Sequence, residues 1–498
     1  MGIVKKQAYK NTILSYGGMV VAYINTVLLF PFFTNAEQYG FYTLIISVSV
    51  LYSLVASMGV PSIIAKYFPF YRTEDTRHNG FIYWVAGLSL VGFTATTLLY
   101  IVLKPTILKA YVGGSPLFAQ YYYYLIPLSL FVVAFNYLEM TGRVIYQTIY
   151  SNFLQNILLR LLTTVFLLMI AAKWISFGDF IFLYIGSNGL ISLLLLISIM
   201  TTGKFAYGVN DYRFKTIKKK EIINFGLFTM VSSSVYVLLQ KVDTLMLSSM
   251  AGDHVQGVYS WYFNIAVIIS VPAQALSRTT YAIVADSWKS KNMKSIAEVY
   301  DKTSIIQMVV GCLLFIGIII NRENLYALAR NKEFTDPKYF SLFLVIGLGF
   351  LVDITGGLNA YIITTSHKYR LITAITILAS IFCIVLNYVL IPKYQGMGAA
   401  ISYLLTITGL NFVTWFYIKY RFKMQPFTLK HLLVIGVTLI SFAVGKYFWR
   451  MPNLYLDIVL RSGVTALVYT LITYYFHISD DLNEKIDSTL VKLKGIIK

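Results

Sequence analysis

Four basic side chains sit in apolar stretches where a charge is out of place: Arg160, Lys241, Arg278 and Arg461. A charge there is costly unless it is paired or faces water. Such a guanidinium or ammonium can hold an anion through charge-assisted hydrogen bonds. It can equally be satisfied by backbone carbonyls or a neighbouring acid. Arg160 stands near the middle of its stretch. Arg278 lies towards the end of its own, where it either meets an anion at a mouth or snorkels to the interface. Lys66 ends another stretch and reads as an anchor or as a cavity residue.

The acids pose the matching question. Asp353 lies mid-stretch beside Gly356 and Gly357, where it suggests proton or sodium coupling, or a bend. Lys241 and Asp243 are two positions apart, about 200° around a helix, so they cannot face one another. Asp243 reads as structural or coupling. Glu139 and Arg143, four apart, share a helix face and read as an interfacial ion pair or an inward gate. Asp457 and Arg461 repeat that spacing and read as structural. Asn25, Asn136, Asn264, Asn359 and Asn387 also fall in apolar stretches, available to sugar hydroxyls or to helix–helix bonds. The 40 tyrosines, Tyr121 to Tyr124 among them, suit aromatic belts as well as sugar faces. The five histidines form no ligand cluster, and Cys312 and Cys383 read as packing residues.

The elements that position these groups follow from hydropathy. Of the 498 residues, 57% are hydrophobic and 12% charged, which excludes a soluble globule of this length. Fourteen blocks are long enough to cross a bilayer as helices: 11–33, 41–65, 80–103, 120–141, 150–172, 180–200, 222–250, 256–284, 303–321, 339–363, 371–391, 397–418, 431–449 and 457–477. The blocks 222–250 and 256–284 carry polar residues and are long enough to tilt or break. Lipid leaves backbone groups no partner outside the helix, so the blocks are helical.

Lysines and arginines sort between the blocks. With the N-terminus inside, 27 lie in inner loops and 10 in outer ones, so both termini are expected in the cytoplasm. The net charge of +20 is therefore a topology signal, and no nucleic-acid partner is expected. The run Lys215–Lys220 closes a basic linker.

A weak repeat accompanies this pattern. Gly40 and Gly257 open similar segments 217 residues apart, and the same offset carries the first block onto the seventh. The domains expected are a six-helix bundle at 1–200, a linker at 201–221, a second bundle at 222–418, and two more helices with a tail at 419–498. Repeats an even number of helices apart share one orientation, so their axis runs along the membrane normal, as in transporters that rock about a site between halves.

Three segments carry a family resemblance. The first is Lys10-Asn11-Thr12, with Phe33-Thr34-Asn35-Ala36-Glu37-Gln38-Tyr39-Gly40-Phe41-Tyr42 and Ser57-Met58-Gly59-Val60 to Pro69. The second is Phe225-Gly226-Leu227, Val242-Asp243-Thr244, Gly257-Val258-Tyr259-Ser260 and Pro272-Ala273-Gln274. The third is Pro392-Lys393-Tyr394-Gln395-Gly396-Met397-Gly398. In their order along the chain these resemble the Wzx-type polysaccharide flippases of the MATE-like MOP exporter superfamily.

The resemblance implies an all-α integral membrane fold of about 14 transmembrane helices: two six-helix bundles in a V, plus two C-terminal helices. It implies a transporter, not an enzyme, with no cofactor and with proton or sodium coupling. Its cargo would be an undecaprenyl-pyrophosphate-linked oligosaccharide moved to the periplasmic leaflet of a bacterial inner membrane, for lipopolysaccharide O-antigen or related surface polysaccharide. Membrane lipids would surround it, and polymerase or chain-length machinery would be partners. Arg160, Arg278, Lys241 and Lys66 would then line a cationic cavity for the pyrophosphate, with Glu139, Arg143, Asp243 and Asp353 gating or coupling. The rival readings are a lipid II flippase, a MATE-type multidrug or cation antiporter, and a membrane glycan polymerase. The lipid II flippases differ from this chain, which has no arginine in its first two blocks.

Overall fold

The computed structural model describes residues 2–73, 78–111, 113–203 and 219–497, with the main chain alone at 2–9, 278–279, 369 and 489–497. The described residues are overwhelmingly helical and contain no β-strand. Thirteen helices among them are long and apolar enough to cross a membrane. They are Lys10–Phe33, Ala36–Ala56, His78–Val102, Tyr122–Val144, Ile149–Ala171, Phe177–Thr201 and Lys219–Met250 (spans 1–7), then Met293–Ile320, Pro337–Thr355, Arg370–Tyr394, Gly396–Phe422, Leu429–Tyr447 and Leu454–Tyr475 (spans 9–14).

Span 8 is the fourteenth. Its helix starts at Asp253, ahead of the apolar block, and runs to Val267. It tightens to a 3-10 turn at Ile268–Ser270 and resumes over Val271–Lys289 with Pro272 in the first turn. Its polar residues and this break keep it below the hydropathy of its neighbours. The expected second block, 41–65, needs correction. Its helix stops at Ala56, Met58 and Gly59 take left-handed angles (φ 50° and 71°), and a new helix covers Val60–Tyr71. A methyl group on Gly59 would stand 2.1 Å from the Gly226 carbonyl oxygen of span 7, so glycine is required by both backbone angle and proximity. Span 10 breaks likewise at Gly356–Gly357 and resumes at Asn359–Thr365.

Packing divides the chain into two compact units: Met1–Ser260 with Ile391–Gly396, and Trp261–Leu390 with Met397–Lys498. The expected linker at 201–221 lies largely in 204–218, outside the described residues. In the first unit the core joins Val60, Ile63, Tyr67 and Phe68 to Val85 of span 3, Phe135 of span 4 and Leu154 of span 5. Ile191 and Leu195 bring span 6 into the same core. In the second unit, Ile305, Val309, Cys312 and Ile316 of span 9 pack with Val434 and Val437 of span 13 and Tyr469 of span 14. Cys312 and Cys383 are both buried, and neither forms a disulfide.

Candidate functional site

Among the described residues, spans 1 and 5 are the two helices that carry a π-helical turn, at Ile24–Leu29 and Leu154–Leu158. Such turns widen a helix locally and are common at functional sites. The two helices are joined by polar bonds along their length. Asn11 donates to the Thr148 hydroxyl at 2.9 Å, and Asn152 donates to the Asn11 carbonyl at 3.1 Å. A methyl on Gly18 would stand 2.2 Å from the Asn156 carbonyl oxygen, which shows how closely the backbones approach.

Arg160 follows the second π turn closely. Its carbonyl accepts from buried Asn25 at 2.9 Å and from Thr164 at 3.0 Å, and Thr164 donates in turn to Asn25 Oδ1 at 2.7 Å. These bonds fix the backbone and leave the side chain unused. The guanidinium is half-buried and makes no hydrogen bond or ion pair with any described residue. Tyr42 (span 2) and Tyr184 (span 6) are its ionisable neighbours. Those two rings lie 5.2 Å apart, edge to face, with Phe30 4.5 Å from Tyr42. A charge at mid-span is costly unless it finds a partner or water.

Lys241 of span 7 is half-buried and likewise has no ion pair among the described residues. Asp243 is buried and accepts from Tyr259 at 3.0 Å, so the two residues serve different surroundings, as their spacing requires. Lys66 is exposed, with its ammonium 3.9 Å from the centre of the Phe225 ring. The side chain of Arg278 lies outside the described residues. Glu139 and Arg143 form an ion pair at 2.6 Å on the surface of span 4.

In the second unit, Asp353 is exposed on span 10 and accepts from Asn411 of span 12 at 3.1 Å. Asn359 donates to Asn411 Oδ1 at 3.3 Å, and Tyr300 donates to Asn359. The chain Tyr300–Asn359–Asn411–Asp353 thus points its donors one way, towards the carboxylate. Asp457 and Arg461 are buried and bidentate at 3.0 Å. Asn324 reaches Asp457 at 2.6 Å and Arg461 reaches the Gly445 carbonyl at 2.9 Å, so this pair is saturated and structural.

Sequence reasoning did not single out Asp253. It lies at the turn between spans 7 and 8, and its carboxylate accepts from Ser115 and Ser248, all three fully buried. One aspartate beside a loop gives no signal of a partner 138 residues away.

Residues 6–281 match the family described as polysaccharide biosynthesis protein, and residues 229–389 match MatE. The capsular polysaccharide biosynthesis protein CapF of Staphylococcus aureus is 25% identical over 214 residues. That match covers 43% of this chain and 52% of the relative, so the chain spans about half the length of the curated relative it matches. Among solved structures, the lipid II flippase MurJ in an inward closed conformation superposes with a TM-score of 0.75 at 14% identity, over 94% of this chain and 98% of that one. An outward-facing multidrug resistance MATE family transporter of the MOP superfamily gives 0.53 at 13% identity, over 84% and 96%. At such identities these likenesses show the fold.

Proposed function

The chain belongs to the polysaccharide biosynthesis protein family, and on that premise we propose that it is a flippase for an isoprenoid-pyrophosphate-linked oligosaccharide. The cargo would cross from the inner to the outer leaflet of a bacterial cytoplasmic membrane by alternating access, with both termini inside. The observation that carries this reading is Arg160: a mid-span guanidinium with a fixed backbone, no bonded partner among the described residues and two tyrosines beside it. A doubly phosphorylated headgroup supplies the missing partner through a planar fork of charge-assisted bonds. Lys241 and Arg278 would extend the path, and Lys66 would meet the headgroup at the basic side.

Asp353, held by Asn411, is the group we assign to proton or sodium coupling, and the Glu139–Arg143 pair would gate the inner side. Polymerase or chain-length proteins would receive the cargo. The test is thermal stabilisation of the purified protein by undecaprenyl pyrophosphate, undecaprenyl monophosphate and undecaprenol. The reading expects the pyrophosphate to stabilise most and Arg160→Gln to abolish that margin. Equal stabilisation by all three would overturn it. Lipid II in the same assay separates this cargo from that of the MurJ-like rival.

A further inference from the structure

The closure around Asp253 has an acceptor surplus. Both carboxylate oxygens are buried, and two hydroxyls, from Ser115 and Ser248, donate to them. The Asp253 amide donates to the Gly114 carbonyl at 3.0 Å. A methyl on Gly114 would stand 2.3 Å from the Ser248 carbonyl oxygen, so the segment before span 4 is pressed against the end of span 7. No cation pairs with Asp253 among the described residues. Among the described residues, the ionisable groups that act on it are Tyr111 from the segment before span 4 and Glu37 from the start of span 2, His254 follows it on its own helix, and Ser248 is the polar contribution of span 7. One turn along the helix, Gln256 donates to Thr43 at 3.2 Å and Ser260 at 2.8 Å, while its own Oε1 is buried without a partner. A junction with spare acceptors, a buried carboxylate and no counter-charge is built to take up one proton.

We propose that Asp253 is a proton-binding site that latches this side of the first unit, closed when protonated and released when ionised. The proton would sit on the carboxyl, shared with the Ser115 and Ser248 hydroxyl oxygens that touch it, with no other ligand required. The inference stands on the junction itself and does not depend on the cargo.

Burial pushes the Asp253 carboxyl up to about 6, against the pull of the two hydroxyls, and the Glu37 charge adds to the rise. An opened, hydrated Asp would titrate near the ordinary value of about 3.9. The closed form therefore binds the proton more tightly, so closure is favoured in acid and lost as pH rises through about 6. Between about pH 5 and pH 7.5 the closed-to-open ratio should fall about tenfold.

Hydrogen exchange on the full chain in lipid nanodiscs tests this, read at the amides of Ser115, Gly252 and Asp253 and corrected for intrinsic pH dependence. The wild type should lose about tenfold in protection over that pH range. Asp253→Asn should hold constant protection. Ser115→Ala removes a donor to the anion, so its transition should move to higher pH. Unchanged wild-type protection, a pH-dependent Asn variant, or an unmoved transition in Ser115→Ala would each overturn the proposal.

Discussion

Gly40 and Gly257, 217 residues apart, meet in a reciprocal contact. A methyl on Gly40 would stand 1.9 Å from the carbonyl oxygen of Asp253, and one on Gly257 would stand 1.9 Å from that of Ala36. Ala36 and Asp253 are separated by the same offset, as are Thr43 and Ser260, whose hydroxyls lie 3.3 Å apart. Reciprocal contacts of this kind mark a local two-fold relation. The faint repeat in the sequence thus has a physical basis at the helix starts.

Gly40→Ala and Gly257→Ala should therefore each destabilise the protein, by about 1–3 kcal/mol, the usual cost of overpacking. Gly87→Ala and Gly436→Ala, with nothing within 4 Å of the added methyl, should be neutral or mildly stabilising. Thermal unfolding in detergent distinguishes the two pairs.

Much of the fold was legible because a bilayer imposes length and hydropathy on every span. The polar block 256–284 was legible as a span that could break, and it does so at Ile268–Ser270; the left-handed break at Met58–Gly59 was not, since local geometry overrides composition there. Of the candidate site, the charge of Arg160 was legible, but its lack of a bonded partner among the described residues was not. That depends on Asn25 and Thr164 binding the Arg160 carbonyl while leaving the guanidinium untouched.

Asp457→Asn and Arg461→Leu should each cost about 3–5 kcal/mol, because each strands a buried charge or its bonding partners. Transport per folded molecule should be unchanged, since the pair is saturated by its own helix and by Asn324 and Gly445. Unfolding midpoints and transport normalised to folded protein check both halves of this expectation.

Asn411→Leu removes the donor to Asp353. Equilibrium binding of the pyrophosphate lipid should persist, while the response of transport to an imposed proton or sodium gradient should change. Parallel binding and gradient-driven assays would show the split.

Arg160→Lys keeps the charge and loses the planar fork. Binding of undecaprenyl pyrophosphate should weaken about tenfold, the order expected for one charge-assisted hydrogen bond. Arg160→Ala should lose far more, and a titration of all three proteins ranks them.

Transport in proteoliposomes of an isoprenoid-pyrophosphate oligosaccharide, wild type against Arg160→Ala, tests the central claim most directly. The account predicts flipping by the wild type and its loss in a folded variant. Equal flipping by both would contradict the role of Arg160, and no flipping by the wild type under proton and sodium gradients would contradict the flippase reading itself.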